Sequence, residues 1–318
     1  DVLKKNSLPL LTVAKQAYSS FNVISELSLR KQIVPFFNGL PEDESWAFEN
    51  LSRKDTSYIT HGCHRYPAKF IPQLARRCIE AYTKENDLVC DPFMGCGTTL
   101  LEALVSNRKT VGVDINPVAV LITNAKCTPI KPVNLNKEVE KLLMDLSTYL
   151  QLSSGNQKTF SQVEFKPIIP SNERINYWFP QEATRKELGV ILSQINKIRD
   201  NQIKNFCLCA FSNILKGSSI WLMKSIKPTR DLNKKPVSAI KAFSRQIKLM
   251  MKNNAALDGM APENMKNNLS DYFIAVKQDA RALPCESNSV SLIVTSPPYV
   301  TSYEYADLHQ LTALWLEY

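Results

Sequence analysis

No run of the 318-residue sequence is apolar for long enough to cross a bilayer as a helix, so a role as a helical membrane protein is excluded. The opening residues Asp1-Val2-Leu3-Lys4-Lys5 do not read as a secretory signal, and an initiator Met is missing. With the stop at Tyr318, this suggests a processed, trimmed or partial chain. The eight cysteines are scattered and never spaced as CxxC. A zinc knuckle needs four ligands in paired spacing, so His61-Gly62-Cys63-His64 is not expected to hold a metal. Cys207-Leu208-Cys209 reads as buried small side chains. Unpaired thiols argue instead for a reducing compartment and a cytoplasmic enzyme. There is no internal repeat and no low-complexity tract. Hydrophobic content of 44% and charged content of 22% are ordinary for a globular protein of one large or two modest domains.

Acidic residues are scarce where basic ones are dense. Between Lys131 and Ser270, 22 Lys and Arg face 11 Asp and Glu, a net +11 that leaves −2 for the rest of a chain carrying +9. From Lys216 to Lys252 there are ten cations, Lys216, Lys224, Lys227, Arg230, Lys234, Lys235, Lys241, Arg245, Lys248 and Lys252, against the single acid Asp231. A polyanion is the economical partner for such a stretch, because phosphate contacts supply much of nucleic-acid affinity.

A glycine is absent where a dinucleotide fingerprint would need its third one. Leu88-Val89-Cys90-Asp91 reads as a strand, Pro92-Phe93-Met94-Gly95-Cys96-Gly97 as a turn, and Thr98-Thr99-Leu100-Leu101 as the start of a helix. Gly95 and Gly97 let a ligand approach the backbone at a helix N-terminus. Leu100 stands three residues after Gly97, which weakens a nicotinamide or flavin reading. Asp91 ends the strand and is suited to a ligand ammonium group. Thr110-Val111-Gly112-Val113-Asp114 is a second strand ending in an acid, the position from which a ribose diol is held. Phe273-Ile274-Ala275-Val276-Lys277-Gln278-Asp279-Ala280 repeats the pattern. Val290-Ser291-Leu292-Ile293-Val294 then runs into Thr295-Ser296-Pro297-Pro298-Tyr299. Two prolines stiffen that loop and remove two backbone donors, leaving free carbonyl acceptors beside an aromatic plane. A planar base stacked on Tyr299 could donate its exocyclic amino hydrogens there.

Ser296-Pro297-Pro298-Tyr299 after an apolar strand resembles the catalytic motif of the S-adenosylmethionine-dependent DNA amino-methyltransferases, in the serine form typical of cytosine-N4 enzymes. Asp91-Pro92-Phe93-Met94-Gly95-Cys96-Gly97-Thr98-Thr99 resembles the cofactor loop of the same family. Tyr66-Pro67-Ala68-Lys69-Phe70 resembles the segment that packs over the cofactor's methionine half. The resemblance covers residues 56–130 and 271–318. It implies an α/β fold, the Rossmann-like doubly wound sheet of class I methyltransferases. It also implies cofactor contacts by Phe70, Asp91, Phe93, Gly95, Gly97, Thr98, Asp114, Ile115, Asp279 and Ala280, with Asp279 accepting from the adenine amino group. The implied activity is methyl transfer to cytosine N4 in duplex DNA, within a restriction-modification system that would pair the enzyme with a cognate endonuclease. The target base would have to leave the helix. Adenine-N6 methylation of DNA, base methylation of RNA, and a DNA-binding subunit inactive alone are the alternatives. Pro284-Cys285 precedes the fourth strand, so no cysteine nucleophile of the carbon-5 type is expected.

Along the chain, residues 1–60 read as a leading region with a turn at Asn38-Gly39-Leu40-Pro41, and 61–123 as the cofactor half of the core. Residues 124–270 read as a basic, helical insertion and candidate DNA-recognition region, and 271–318 as the catalytic half. Helices are expected over 71–82, from the glycine turn to 106, from Pro117, and over 304–318. Within the insertion, Leu188, Ile191, Leu192, Ile195 and Ile198 share a helix face. Pro236 suits the first turn of a helix carrying Val237, Ile240, Phe243, Ile247 and Met250. Ser153-Ser154-Gly155-Asn156 is a loop. Only four strands are legible, 88–91, 110–114, 272–277 and 290–295, where the family's sheet has seven. The sheet is therefore expected to be incomplete after Tyr318 and to be finished by a second chain or by further sequence.

Overall fold

A computed structural model of the chain describes residues 43–153, 165–225, 227–298 and 305–318. The turn expected at 38–41 and most of the loop at 153–156 lie outside these residues. Residues 1–49 and 50–318 are separate compact units. In the first, the described part is a 3-10 turn, Glu44–Trp46, capped by Asp43, which accepts from the Ser45 amide.

In the second unit, α1 (Pro72–Tyr82) starts on a proline, whose missing donor costs nothing in a first turn. It leads to β1 (Leu88–Asp91), α2 (Thr98–Val105), β2 (Lys109–Asp114) and α3 (Pro117–Cys127). The Asn116 side chain caps α3 by accepting from the Val118 amide. Helices α4 (Pro132–Ser153), α5 (Glu173–Trp178), α6 (Glu182–Ile195), α7 (Asn201–Ser218) and α8 (Ala239–Met260) follow, then the short α9 (Glu263–Asn267) and α10 (Leu269–Tyr272). Strands β3 (Phe273–Lys277) and β4 (Leu292–Ile293) precede α11 (Tyr305–Leu308) and α12 (Gln310–Leu316).

The four strands form one parallel sheet in the order β3-β2-β1-β4. The chain moves outward from β1 to β2 and β3, then returns to the other side of β1 for β4. The carboxyl ends of β1 and β4 therefore form a topological switch point, where open α/β sheets bind ligands. This is a Rossmann-like methyltransferase fold. β1 and β2 are almost wholly buried, whereas Ile293 on β4, an outer strand of the sheet, is 56% exposed.

Several expectations need correction. Leu188, Ile191, Leu192 and Ile195 do share the buried face of α6, but Ile198 lies beyond the helix end, although it is buried too. Pro236 precedes α8; Ser238 caps that helix by accepting from the Lys241 amide. β4 keeps only two of the six residues expected at 290–295. The helix expected over 304–318 is divided at His309 (φ −105°, ψ 4°). The insertion is helical but does not stand apart. Its α7 packs on α3 and α8, and Phe206, Phe211, Phe243 and Leu188 share one core with Val118 and Ile122 of α3 and Leu311 and Trp315 of α12. Cys207 and Cys209 belong to that core. The boundary expected at 123–124 falls inside α3.

Candidate active site

Gly97 is the N-cap of α2 and sits at φ 70°, and Gly95 lies at φ 48°, both in the left-handed region that favours glycine. A Cβ on Gly97 would come within 2.6 Å of the Thr123 Cγ2. The loop carbonyls are braced from α3: Thr123 Oγ1 donates to Gly95 O (2.9 Å) and Lys126 Nζ to Cys96 O (2.6 Å), with the Cys127 thiol 3.9 Å from Gly97 O. Lys126 is 1% exposed, so its ammonium is committed to the loop. From β2, Asp114 accepts from the Gly95 amide (3.0 Å) and the Asn116 amide (2.8 Å). Burial raises the Asp114 carboxyl above its ordinary value, against the pull of those two amides.

Above the loop is a cavity of about 660 Å³. Phe70, Asp91, Phe93, Gly95, Thr98, Asp114, Ile115, Asp279, Ala280, Ser296 and Pro298 line it; Gly97 and Pro297 do not. Tyr299 lies outside the described residues. Asp91 is 2% exposed and accepts from the Phe93 amide (3.1 Å) and Thr295 Oγ1 (2.7 Å), with no cation paired to it among the described residues. Burial pushes its carboxyl up to about 6. Asp279 differs: its carboxylate is held by Arg281 at 2.6 Å and 2.9 Å, whose hydrogen bonds bring it down to about 2.

The loop after β4 is tied to this floor. The Val294 amide donates to Cys90 O (3.1 Å), Thr99 Oγ1 donates to Val294 O (3.0 Å), and Thr295 donates to Asp91. Ser296 and Pro298 are thereby brought to the same cavity as Asp91, which lies 205 and 207 residues before them in sequence. Thr123 and Lys126 were missed because neither carries a sequence signal of its own; Thr99 and Thr295 stand inside the two loop motifs, but their hydrogen-bond partners are not legible there.

The His-Gly-Cys-His cluster is pulled apart. His61 Nε2 bonds the fully buried Glu102 (2.6 Å), which also accepts from Tyr58 and from Arg76 Nε (2.8 Å). Burial pushes the His61 imidazole down to about 4. His64 Nε2 meets Ser212 Oγ (2.9 Å), and the Cys63 thiol meets Asn253. The basic segment divides as well. Lys234 donates to Lys216 O and Trp221 O (2.8 Å each), and burial brings its ammonium down to about 8. Lys216 donates to Ser225 O (2.7 Å), and Arg230 stacks 4.1 Å from the Tyr177 ring centroid. Lys224, Lys227, Lys235, Lys241 and Arg245 are exposed.

The sheet and its glycine loop define the methyltransferase class, and known proteins narrow it. A DNA methylase model, that of the N6/N4 methyltransferases, matches residues 9–125. The Type II methyltransferase M.MvaI of Kocuria varians is 31% identical over 274 residues, 83% of this chain and 59% of the relative. The Type II methyltransferase M.MjaII of Methanocaldococcus jannaschii is 35% identical over 108 residues, 34% of this chain and 20% of the relative. The Type II methyltransferase M.BsoBI of Geobacillus stearothermophilus is 23% identical over 311 residues, 84% of this chain and 56% of the relative. The chain thus spans less than two thirds of the length of each of these relatives. No solved structure matches it. The chain belongs to the DNA amino-methyltransferase family. Among the described residues, no helix is long and apolar enough to cross a membrane.

Proposed function

We propose that the chain carries the catalytic core of a DNA methyltransferase that acts on cytosine N4 with S-adenosylmethionine as donor. The observation that carries this reading is Asp91, a buried carboxylate without a cationic partner among the described residues, at the floor of a cavity large enough for a nucleoside. A buried charge is costly unless paired, so the site is complementary to a ligand ammonium group. Asp114 keeps lone pairs for ribose hydroxyls after accepting from two amides, and Ile115, 72% exposed, and Phe93, 41% exposed, offer apolar surface for a base. These residues fit the cofactor. When bound, S-adenosylmethionine supplies an electrophilic methyl group.

The chain's own part is to align and to accept. The residues that would hold the donor are Phe70, Asp91, Phe93, Gly95, Thr98, Asp114, Ile115, Asp279 and Ala280, with Gly97 shaping the loop. Ser296 and the Pro297 carbonyl would accept from the target amine, leaving its lone pair free for attack, while Tyr299 would stack on the base. Exposed Lys224, Lys227, Lys235, Lys241 and Arg245 would meet DNA phosphates. The serine at position 296 favours cytosine N4 over adenine N6.

The test is methyl transfer to duplex DNA by the whole gene product, with the modified base identified by mass. N4-methylcytosine is expected, with turnover reduced in Ser296→Ala more than cofactor affinity. N6-methyladenine as the sole product would replace the assigned base. 5-Methylcytosine would remove the mechanism.

A further inference from the structure

A second cavity, of about 790 Å³, adjoins the first and shares Tyr66, Pro67, Lys69 and His309 with it. Its wall includes Arg53, Lys54, Arg65, Lys69 and Lys216 and, among the described residues, no Asp or Glu. Five cations lining one concavity without an acid repel each other, and a polyanion relieves that repulsion. Lys69 and Lys216 already donate to the carbonyls of His61 and Ser225. Arg53, Lys54 and Arg65 are exposed and form no ion pair among the described residues.

The cavity is built rather than incidental. The Arg65 amide donates to Asn213 Oδ1 (3.1 Å), and the neighbouring His64 bonds Ser212, so the loop that carries Arg65 is fastened to α7. Two residues of the wall, His309 and Trp221, are deeply buried, at 6% and 2% exposure, and give the cavity a fixed side. On α8, Leu249 and Asn253 line the cavity. At about 100° per residue, Lys241, Arg245, Lys248 and Lys252 fall on the strip beside them. The cationic surface therefore continues from the cavity onto the helix exterior.

We propose that this second cavity seats the DNA strand that bears the target base. Arg53, Lys54 and Arg65 hold its backbone phosphates, and the base reaches the first cavity past Tyr66 and His309. The assignment rests on the DNA methyltransferase reading and adds to it three phosphate contacts, none of which lies in the basic segment of 216–252.

The test is binding of a fluorescent mixed-sequence duplex to the whole gene product over a range of salt concentrations, beside S-adenosylmethionine binding by calorimetry. Arg53→Gln/Arg65→Gln is expected to weaken DNA binding on the order of ten- to a hundredfold and to flatten the salt slope by about two units. Lys54→Gln alone should take about one unit. Arg53→Lys/Arg65→Lys should keep most of the affinity, and cofactor binding should stay at the wild-type level in every variant. An unchanged salt slope in the glutamine pair, with wild-type methylation of DNA intact, would overturn the strand seat and leave the enzyme reading standing. Loss of cofactor binding in the pair would also overturn it. A wild-type protein that binds cofactor but no DNA at any salt would remove both.

Discussion

Replacing Gly97 by alanine asks whether the glycine loop after β1 is held as tightly as its contacts suggest. Two costs are separable. A non-glycine residue at φ 70° pays roughly 1–2 kcal/mol for its left-handed backbone. The new Cβ also lands 2.6 Å from Thr123 Cγ2 and 2.8 Å from its Oγ1, far inside van der Waals contact. Thr123 is fully buried and spends its hydroxyl on Gly95 O, so it moves only by giving up a bond worth about 1 kcal/mol. Together these predict a loss of about 2–4 kcal/mol, which for a unit of this size lowers Tm by roughly 5–12 °C. Urea denaturation and thermal melting check it, and Thr123→Ala separates the two parts. That change removes both of the closest contacts, so the double variant should be more stable than the sum of the single effects by about 1 kcal/mol or more. Strict additivity would mean that backbone strain alone acts. A wild-type melting curve for Gly97→Ala would refute the reasoning, because neither cost would then exist.

Three further outcomes are expected. Asp91 is raised from 3.8 to about 6 in the folded protein, so folding takes up its proton and stability falls as pH rises from about 4 to 6. The loss is of order 3 kcal/mol. Asp91→Asn should abolish that fall and be the more stable protein above pH 6, while binding S-adenosylmethionine more weakly; urea titrations from pH 4 to 8 and calorimetry measure the two effects. Glu102→Ala removes the shared acceptor of His61, Tyr58 and Arg76 and should cost about 3 kcal/mol in urea denaturation, without involving any residue that lines the cofactor cavity. Lys234→Ala should lower Tm because two backbone carbonyls lose their donor. The exposed Lys235→Ala should leave Tm alone and weaken DNA binding in a salt-dependent way.

Some of this protein was legible in the order of its residues because the determinants are local. An apolar run that ends in an acid and then two glycines forces strand, turn and helix within a few residues, and β1, α2, β2 and α3 stand within one or two positions of where the sequence puts them. The apolar run of β3, which ends just before Asp279, is of the same kind. Family membership was legible too, because the glycine loop after β1 and the Ser-Pro-Pro-Tyr run after β4 are short contiguous motifs. The rest depends on pairs that only folding brings together. Thr295 reaches Asp91 across 204 residues, and Lys126 reaches Cys96 across 30. Charge counting registered the basic segment but not that Lys216 and Lys234 turn inward, because the sign of a side chain says nothing about which carbonyls lie within its reach. It passed over Arg53, Lys54 and Arg65, which are unremarkable in sequence and meet only where α7 and α8 close a cavity around them. Local sterics and propensity wrote the elements into the sequence. Burial and non-local hydrogen bonding, which act between residues far apart along the chain, decided what faces what.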